Sequence, residues 1–131
     1  MSGVADTRLL LALEFPPDND SREGVRALLR KELADRLLAP SVVLAEFIKH
    51  AGPRIGKESA ELRIARLKED GMRVVPLGER EAMAAGALLL AHRDAPMADA
   101  LVASLVTSGQ GGYVVSDDPH FRALGVKSKW F

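Results

Sequence analysis

Four acidic residues stand where acids are costly. Asp6 lies between Val4-Ala5 and the leucine run that opens at Leu9. Glu46 interrupts Val42-Val43-Leu44-Ala45 and Phe47-Ile48, a stretch apolar on nearly every face if helical. Asp99 sits between Pro96-Met97-Ala98 and Ala100-Leu101-Val102, and Asp118 follows Tyr113-Val114-Val115. A carboxylate in apolar surroundings is expensive unless something pairs with it. Val42 and Val43 fill the turn before Glu46, which leaves Lys49 and His50 in the turn after it; Asp99 has only Val102 and Ala103 one turn on. Ordinary roles exist for three of the four. Asp6 can cap a helix starting near Arg8, Asp99 can complement a helix N-terminus opened by Pro96, and Asp118 can serve a turn beside Pro119. Glu46 is the hardest to account for in this way, because its whole segment is hydrophobic, although Lys49 and His50 could serve as its partners. If the four meet, each pair of unit charges about 5 Å apart costs about 3 kcal/mol at an effective dielectric near 20. A divalent cation removes that penalty, and oxygen ligands without cysteine favour Mg²⁺ or Mn²⁺.

The remaining acids read as solvated helix faces. Glu23, Glu32, Asp35, Glu58, Glu61, Glu69, Asp70, Glu79 and Glu81 sit among Arg, Lys, Ser and Gly, the usual pattern of an exposed surface.

Short apolar runs alternate with longer helical stretches, and these must position the four acids. Strands are expected at Gly3 to Ala5, Leu37 to Ala39, Met72 to Val75 and Tyr113 to Val115. Between them, Leu9 to Phe15 reads as a brief helix ended by Pro16-Pro17. Ser21 is placed to cap a helix reaching about Arg36, with Val25, Leu28, Leu29 and Leu33 at helical spacing. Ser41 would cap a helix over Val42 to His50 that Gly52-Pro53 terminates. Lys57 to Asp70 follows, stopped by Gly71. Glu79 to Arg93 is helical, Pro96 opens a helix to Thr107, and Gly109 to Gly112 turns into the last of these strands. A short helix and a tail complete the chain. Strands separated by helices predict an α/β fold, a three-layer α/β/α sandwich with a short, mainly parallel sheet. Asp6 and Asp118 each end a predicted strand, and ligands gather outside the carboxyl ends of such strands.

Composition narrows the function. The 131 residues fit a single domain spanning 1–131. There is no cysteine, so a disulfide framework and a thiolate zinc site are excluded, as suits a cytoplasmic protein. Leu9 to Leu13, the longest early apolar run, is far short of the roughly 20 residues of a spanning helix, so no membrane segment is expected. Eighteen basic and eighteen acidic residues give a formal net charge of zero, which argues against nucleic-acid binding by bulk charge alone but not against an acidic centre with a basic rim.

The motifs around the acids resemble those of PIN domains. Val4-Ala5-Asp6-Thr7 with its following leucines resembles the family's opening strand and helix. Ser41-Val42-Val43-Leu44-Ala45-Glu46-Phe47 is similar to its second motif, Asp99-Ala100-Leu101-Val102-Ala103 to its third, and Val114-Val115-Ser116-Asp117-Asp118-Pro119-His120-Phe121 to its fourth. The four occur in order along almost the whole chain. Ser116 stands where threonine is commoner, and Asp117 adds an acid.

The resemblance implies a divalent-metal-dependent endoribonuclease that hydrolyses RNA phosphodiesters without a covalent intermediate. It implies Asp6, Glu46, Asp99 and Asp118 as the metal-binding, catalytic acids, with Thr7 and Ser116 holding carboxylates or water. Asp117 is an auxiliary ligand candidate and Asp94 a weaker one. Small stand-alone chains of this kind resemble VapC-type toxins, which implies a homodimer and an antitoxin that plugs the acidic groove. Lys49, Arg54 and Lys57 are the cations best placed to meet RNA, and His50, His92 and His120 read as surface or packing residues, His120 alone lying beside a motif. The main alternative is a catalytically inactive PIN-fold module that binds protein or RNA. A phosphorelay receiver domain would need a lone Asp after a central strand and a lysine after the last, which Met72 to Val75 and the tail do not place. An Asp-x-Asp phosphatase fails because Asp6-Thr7-Arg8 lacks the second acid.

Overall fold

The computed structural model describes residues 1–131. Five strands form one parallel sheet: β1 (Gly3–Ala5), β2 (Leu38–Pro40), β3 (Arg73–Val75), β4 (Tyr113–Val115) and β5 (Ser128–Lys129), in the order β3-β2-β1-β4-β5. β1 is central. Its Val4 pairs with Leu38 on one side and with Val114 on the other. Parallel neighbours need crossover connections, and seven helices supply them: α1 (Thr7–Glu14), α2 (Asn19–Ala34), α3 (Ser41–Ile55), α4 (Lys57–Glu69), α5 (Glu79–Ala91), α6 (Met97–Thr107) and α7 (His120–Ala123). The result is the expected α/β/α sandwich.

Burial explains why such short strands suffice. β1, β2 and β4 are buried along their whole lengths. α6 lies against β1, β2 and β4, and carries buried Ala100, Val102, Ala103 and Leu105. α1 packs on α2 and α3 through Leu9 and Leu10. One core of 25 buried apolar residues joins these layers. No helix is long and apolar enough to cross a membrane.

The chain departs from its sequence pattern in six places. Ser41 is the first residue of α3, not its cap, and its hydroxyl accepts the Leu77 backbone N–H at 3.2 Å. α2 begins at Asn19, capped by Asp18, whose side chain accepts the Ser21 backbone N–H at 2.7 Å; Ser21 is inside the helix, not its cap. α3 runs through Gly52-Pro53 to Ile55. Pro53 leaves the Lys49 carbonyl without its helical donor, on an exposed side near the end of the helix, and Gly56, at φ 90°, makes the true stop. The tail contains β5, which pairs with β4. Glu32 is not solvated: it is 1% exposed and accepts the Tyr113 hydroxyl. Glu81 is also buried, accepting the Gly78 backbone N–H at 2.8 Å as the far half of a capping box.

Strand order reverses at β1 and β4. The chain winds from β1 to β2 and β3 on one side, then returns to β4 and β5 on the other. The crevice between the carboxyl ends of β1 and β4 is therefore the topological switch point, where doubly wound sheets place their ligands. Asp6 leaves β1 there, and Ser116-Asp117-Asp118 leaves β4.

Candidate active site

Asp6 is the first residue beyond β1 and the N-cap position of α1, with extended backbone. It is 4% exposed. Its Oδ2 accepts the Ser116 hydroxyl at 2.8 Å. The same Ser116 oxygen accepts the Asp118 backbone N–H at 3.1 Å. One buried hydroxyl thus ties the end of β1 to the turn after β4. Asp118 in turn accepts the His120 backbone N–H through Oδ1 at 2.9 Å, an Asx turn that fixes its carboxylate.

Glu46 comes from α3, on the helix that follows β2. Its Oε1 accepts the Thr7 hydroxyl at 2.7 Å. Thr7 is itself buried and opens α1, so the residue next to Asp6 aims Glu46. Asp99 lies in the first turn of α6, where the helix dipole favours an anion. His120 Nδ1 lies 3.1 Å from Asp99 Oδ2 and 3.0 Å from Asp118 Oδ1. Single ligand atoms of Asp99, Asp118 and His120 fall within 4.8 Å of one another.

Charge completes the picture. Burial pushes the Asp6 carboxyl up to about 6; the Ser116 and Thr7 hydrogen bonds oppose this, and Asp99 and Asp118 reinforce it. Asp99 is pushed above the usual carboxylate range, first by burial and then by Asp118, with His120 opposing and Glu46 adding to the shift. Each acid therefore lies in the field of at least one of the others. The His120 ring is the only basic side chain within 4.0 Å of any of the four acids; Arg8, which pairs with Asp117, acts on Asp6 and Asp118 from further out.

The other residues singled out from sequence are placed as follows. Asp117 turns to Arg8: Nη2 donates to Oδ2 at 3.0 Å and Nε donates to Oδ1. That pairing holds the Asp117 carboxyl below its ordinary value and takes both of its oxygens, so it stands outside the Asp99, Asp118 and His120 group. Asp94 is exposed. Lys49 is exposed on α3, Arg54 lies over the Phe15 ring at 3.8 Å, and Lys57 pairs with Glu61 at 3.5 Å. His120 is the residue whose part sequence understated. Its position two places after Asp118 was visible, but its approach to Asp99 depends on α6 meeting α7.

The arrangement fits a hard dication. The donors are carboxylate oxygens with one imidazole, no thiolate is present, and no lysine or arginine pairs directly with any of the four acids. The four acids come from four well-separated segments of the chain.

Comparison with known proteins agrees with this geometry. The model of the PIN domain family matches residues 4–127. No curated protein matches the chain. Among solved structures, Mycobacterium tuberculosis VapC20, a toxin that cleaves the sarcin–ricin loop, superposes with a TM-score of 0.81 at 20% identity, over 99% of this chain and 100% of that one. VapBC2 from Rickettsia felis, bound to a DNA fragment from its promoter, gives 0.74 at 14% identity with both chains covered in full. DNA-bound VapBC from Salmonella typhimurium gives 0.74 at 18% identity, over 98% and 97% of the two chains. The chain belongs to the PIN domain family.

Proposed function

We propose that this chain is a divalent-metal-dependent endoribonuclease, the toxin of a toxin–antitoxin pair. One observation carries the reading. Acids from the ends of β1 and β4 and from α3 and α6 act on one another electrostatically, and within 4.0 Å only the His120 ring approaches any of them. Asp6, Glu46, Asp99 and Asp118 would hold Mg²⁺ or Mn²⁺. When bound, the ion supplies charge neutralisation at the scissile phosphate and acidifies water for attack.

The chain's own residues prepare that chemistry. Ser116 orients Asp6 and the turn bearing Asp118, and Thr7 orients Glu46. Partners of this kind fix metal-binding side chains and strengthen them as ligands. His120 bridges Asp99 and Asp118, and its exposed ring can meet substrate. Asp117 holds the Arg8 guanidinium at the edge of the group, where a phosphate would arrive. We assign Asp117 this anchoring role in place of metal ligation. Lys49, Arg54 and Lys57 extend the basic rim away from the crevice.

The toxin reading draws on VapC20 and the two VapBC assemblies, whose folds this chain shares. It brings an antitoxin that covers the crevice and a homodimer. Exposed Met83 and Leu90, one heptad apart on α5, with exposed Met97 at the start of α6, supply an apolar face for a second copy.

The test is cleavage of a structured RNA by the purified chain in Mn²⁺, with Asp118→Asn and Asp99→Asn alongside. Cleavage by the parent alone, with circular dichroism unchanged in the variants, is the expected result. Intact RNA in every arm, and no calorimetric response to Mn²⁺, would favour the inactive binding module instead.

A further inference from the structure

Next to the carboxylates, the molecule gathers half of its six aromatic side chains in one place. Its only tryptophan, Trp130, and two of its four phenylalanines, Phe15 and Phe131, line a depression of about 380 Å³. The walls are the end of α1, the start of α2, the last turns of α3 and the segment after β5. That volume lies within the range of small-molecule sites. Arg8, His50 and Arg54 also line it; the one acid is Asp117, already held by Arg8.

The rings are fixed by contacts of their own. The Arg54 guanidinium sits 3.8 Å from the Phe15 ring centroid. The Trp130 and Phe131 centroids are 5.4 Å apart at a 37° tilt. Phe131 rests on Gly24, where an added Cβ would lie 2.3 Å from a ring carbon. The missing side chain at position 24 is what lets this ring lie on α2 and set Trp130 beside it. Phe131 is nonetheless 55% exposed.

We propose that this depression receives an unpaired nucleobase of the RNA strand, with the neighbouring phosphates on Arg8 and Arg54. The identity of the strand rests on the nuclease reading. Aromatic faces and guanidinium planes are the surfaces that stack single-stranded bases, and the cationic rim complements the phosphates on either side of such a base. Position supports the same occupant. Arg8 follows Thr7 and clamps Asp117, which adjoins Asp118, so the depression and the carboxylate crevice share an edge. An apolar peptide would gain little from three basic groups at the rim.

Trp130 is the sole tryptophan, so its emission reports on the depression directly. The full chain is titrated in EDTA at low salt with a tetranucleotide RNA, and with an abasic chain of the same length and charge. The RNA should quench Trp130 and bind about 5- to 150-fold more tightly than the abasic chain, the range for one stacked base. Arg54→Ala should weaken RNA binding. Gly24→Ala, which keeps every charge but dislodges Phe131, should narrow the gap between the two probes. Equal binding of both probes without quenching overturns the proposal, leaving phosphate attraction only. Quenching by an apolar peptide and by neither nucleic-acid probe overturns it in favour of a protein occupant. If Mn²⁺-dependent cleavage occurs and Trp130→Ala leaves its KM unchanged, the base site fails while the nuclease reading stands. If base-dependent quenching occurs without any cleavage, the nuclease reading fails and the base site stands.

Discussion

Replacing Asp6 by Asn isolates the electrostatic cost of the crevice. Burial lifts the Asp6 carboxyl from 3.8 to about 6. Each tenfold change in proton affinity is worth about 1.36 kcal/mol, so holding Asp6 ionised in the metal-free fold costs about 3 kcal/mol at neutral pH. The folded group binds its proton more tightly than the unfolded one. Stability therefore falls as pH rises from about 3.8 to about 6, and stays reduced above that. Asp6→Asn removes the ionisation while its amide oxygen still accepts the Ser116 hydroxyl. In EDTA at pH 7.5, urea unfolding should find the variant more stable than the parent by up to about 3 kcal/mol, and that advantage should shrink below about 1 kcal/mol at pH 4. Saturating Mn²⁺ should reverse the order, because a ligand that binds only the folded parent stabilises it by mass action. An advantage that is equal at both pH values, or a variant less stable than the parent at pH 7.5, would refute the reasoning.

Thr7→Val keeps the volume of a buried residue but removes the donor to Glu46; Mn²⁺ affinity by calorimetry should fall about 10- to 100-fold with the fold intact. Tyr113→Phe strips the hydroxyl from Glu32, a carboxylate 1% exposed, and chemical denaturation should register a loss of about 1–3 kcal/mol. Met83→Glu combined with Leu90→Glu places charges on exposed positions of α5; on the homodimer proposed above, light scattering should find a dimer for the parent and a monomer for the variant, with the melting curve little changed.

The fold was legible wherever hydrophobic patterning carried it. β1 to β4 are short apolar runs, and the helices between them show helical spacing or recognisable ends such as Gly71. β5 was not legible, because Ser128 and Lys129 carry no strand pattern and their pairing is imposed by Val114 and Val115. Pro53 misled because it costs α3 a single backbone bond, to the Lys49 carbonyl, at an exposed place near the helix end. Glu32 looked solvated because its partner is Tyr113, 81 residues away. At the candidate site, the apolar neighbours of Asp6, Glu46, Asp99 and Asp118 marked them out one by one. Their convergence depends on strand order, which local pattern does not encode. The part of His120 needed the same long-range information, since its second contact is to α6.

The central place of β1 has a consequence during synthesis. β1 precedes every other strand along the chain, yet it cannot be completed on one side until β4 exists, and the hydroxyl that steadies Asp6 belongs to Ser116, 110 positions later. Such distant pairings form late in folding. A nascent chain that ends short of Ser116 can raise several of its helices but holds no assembled crevice. On the nuclease reading, the order in which this topology closes withholds the assembled site from a growing polypeptide until Ser116 has emerged.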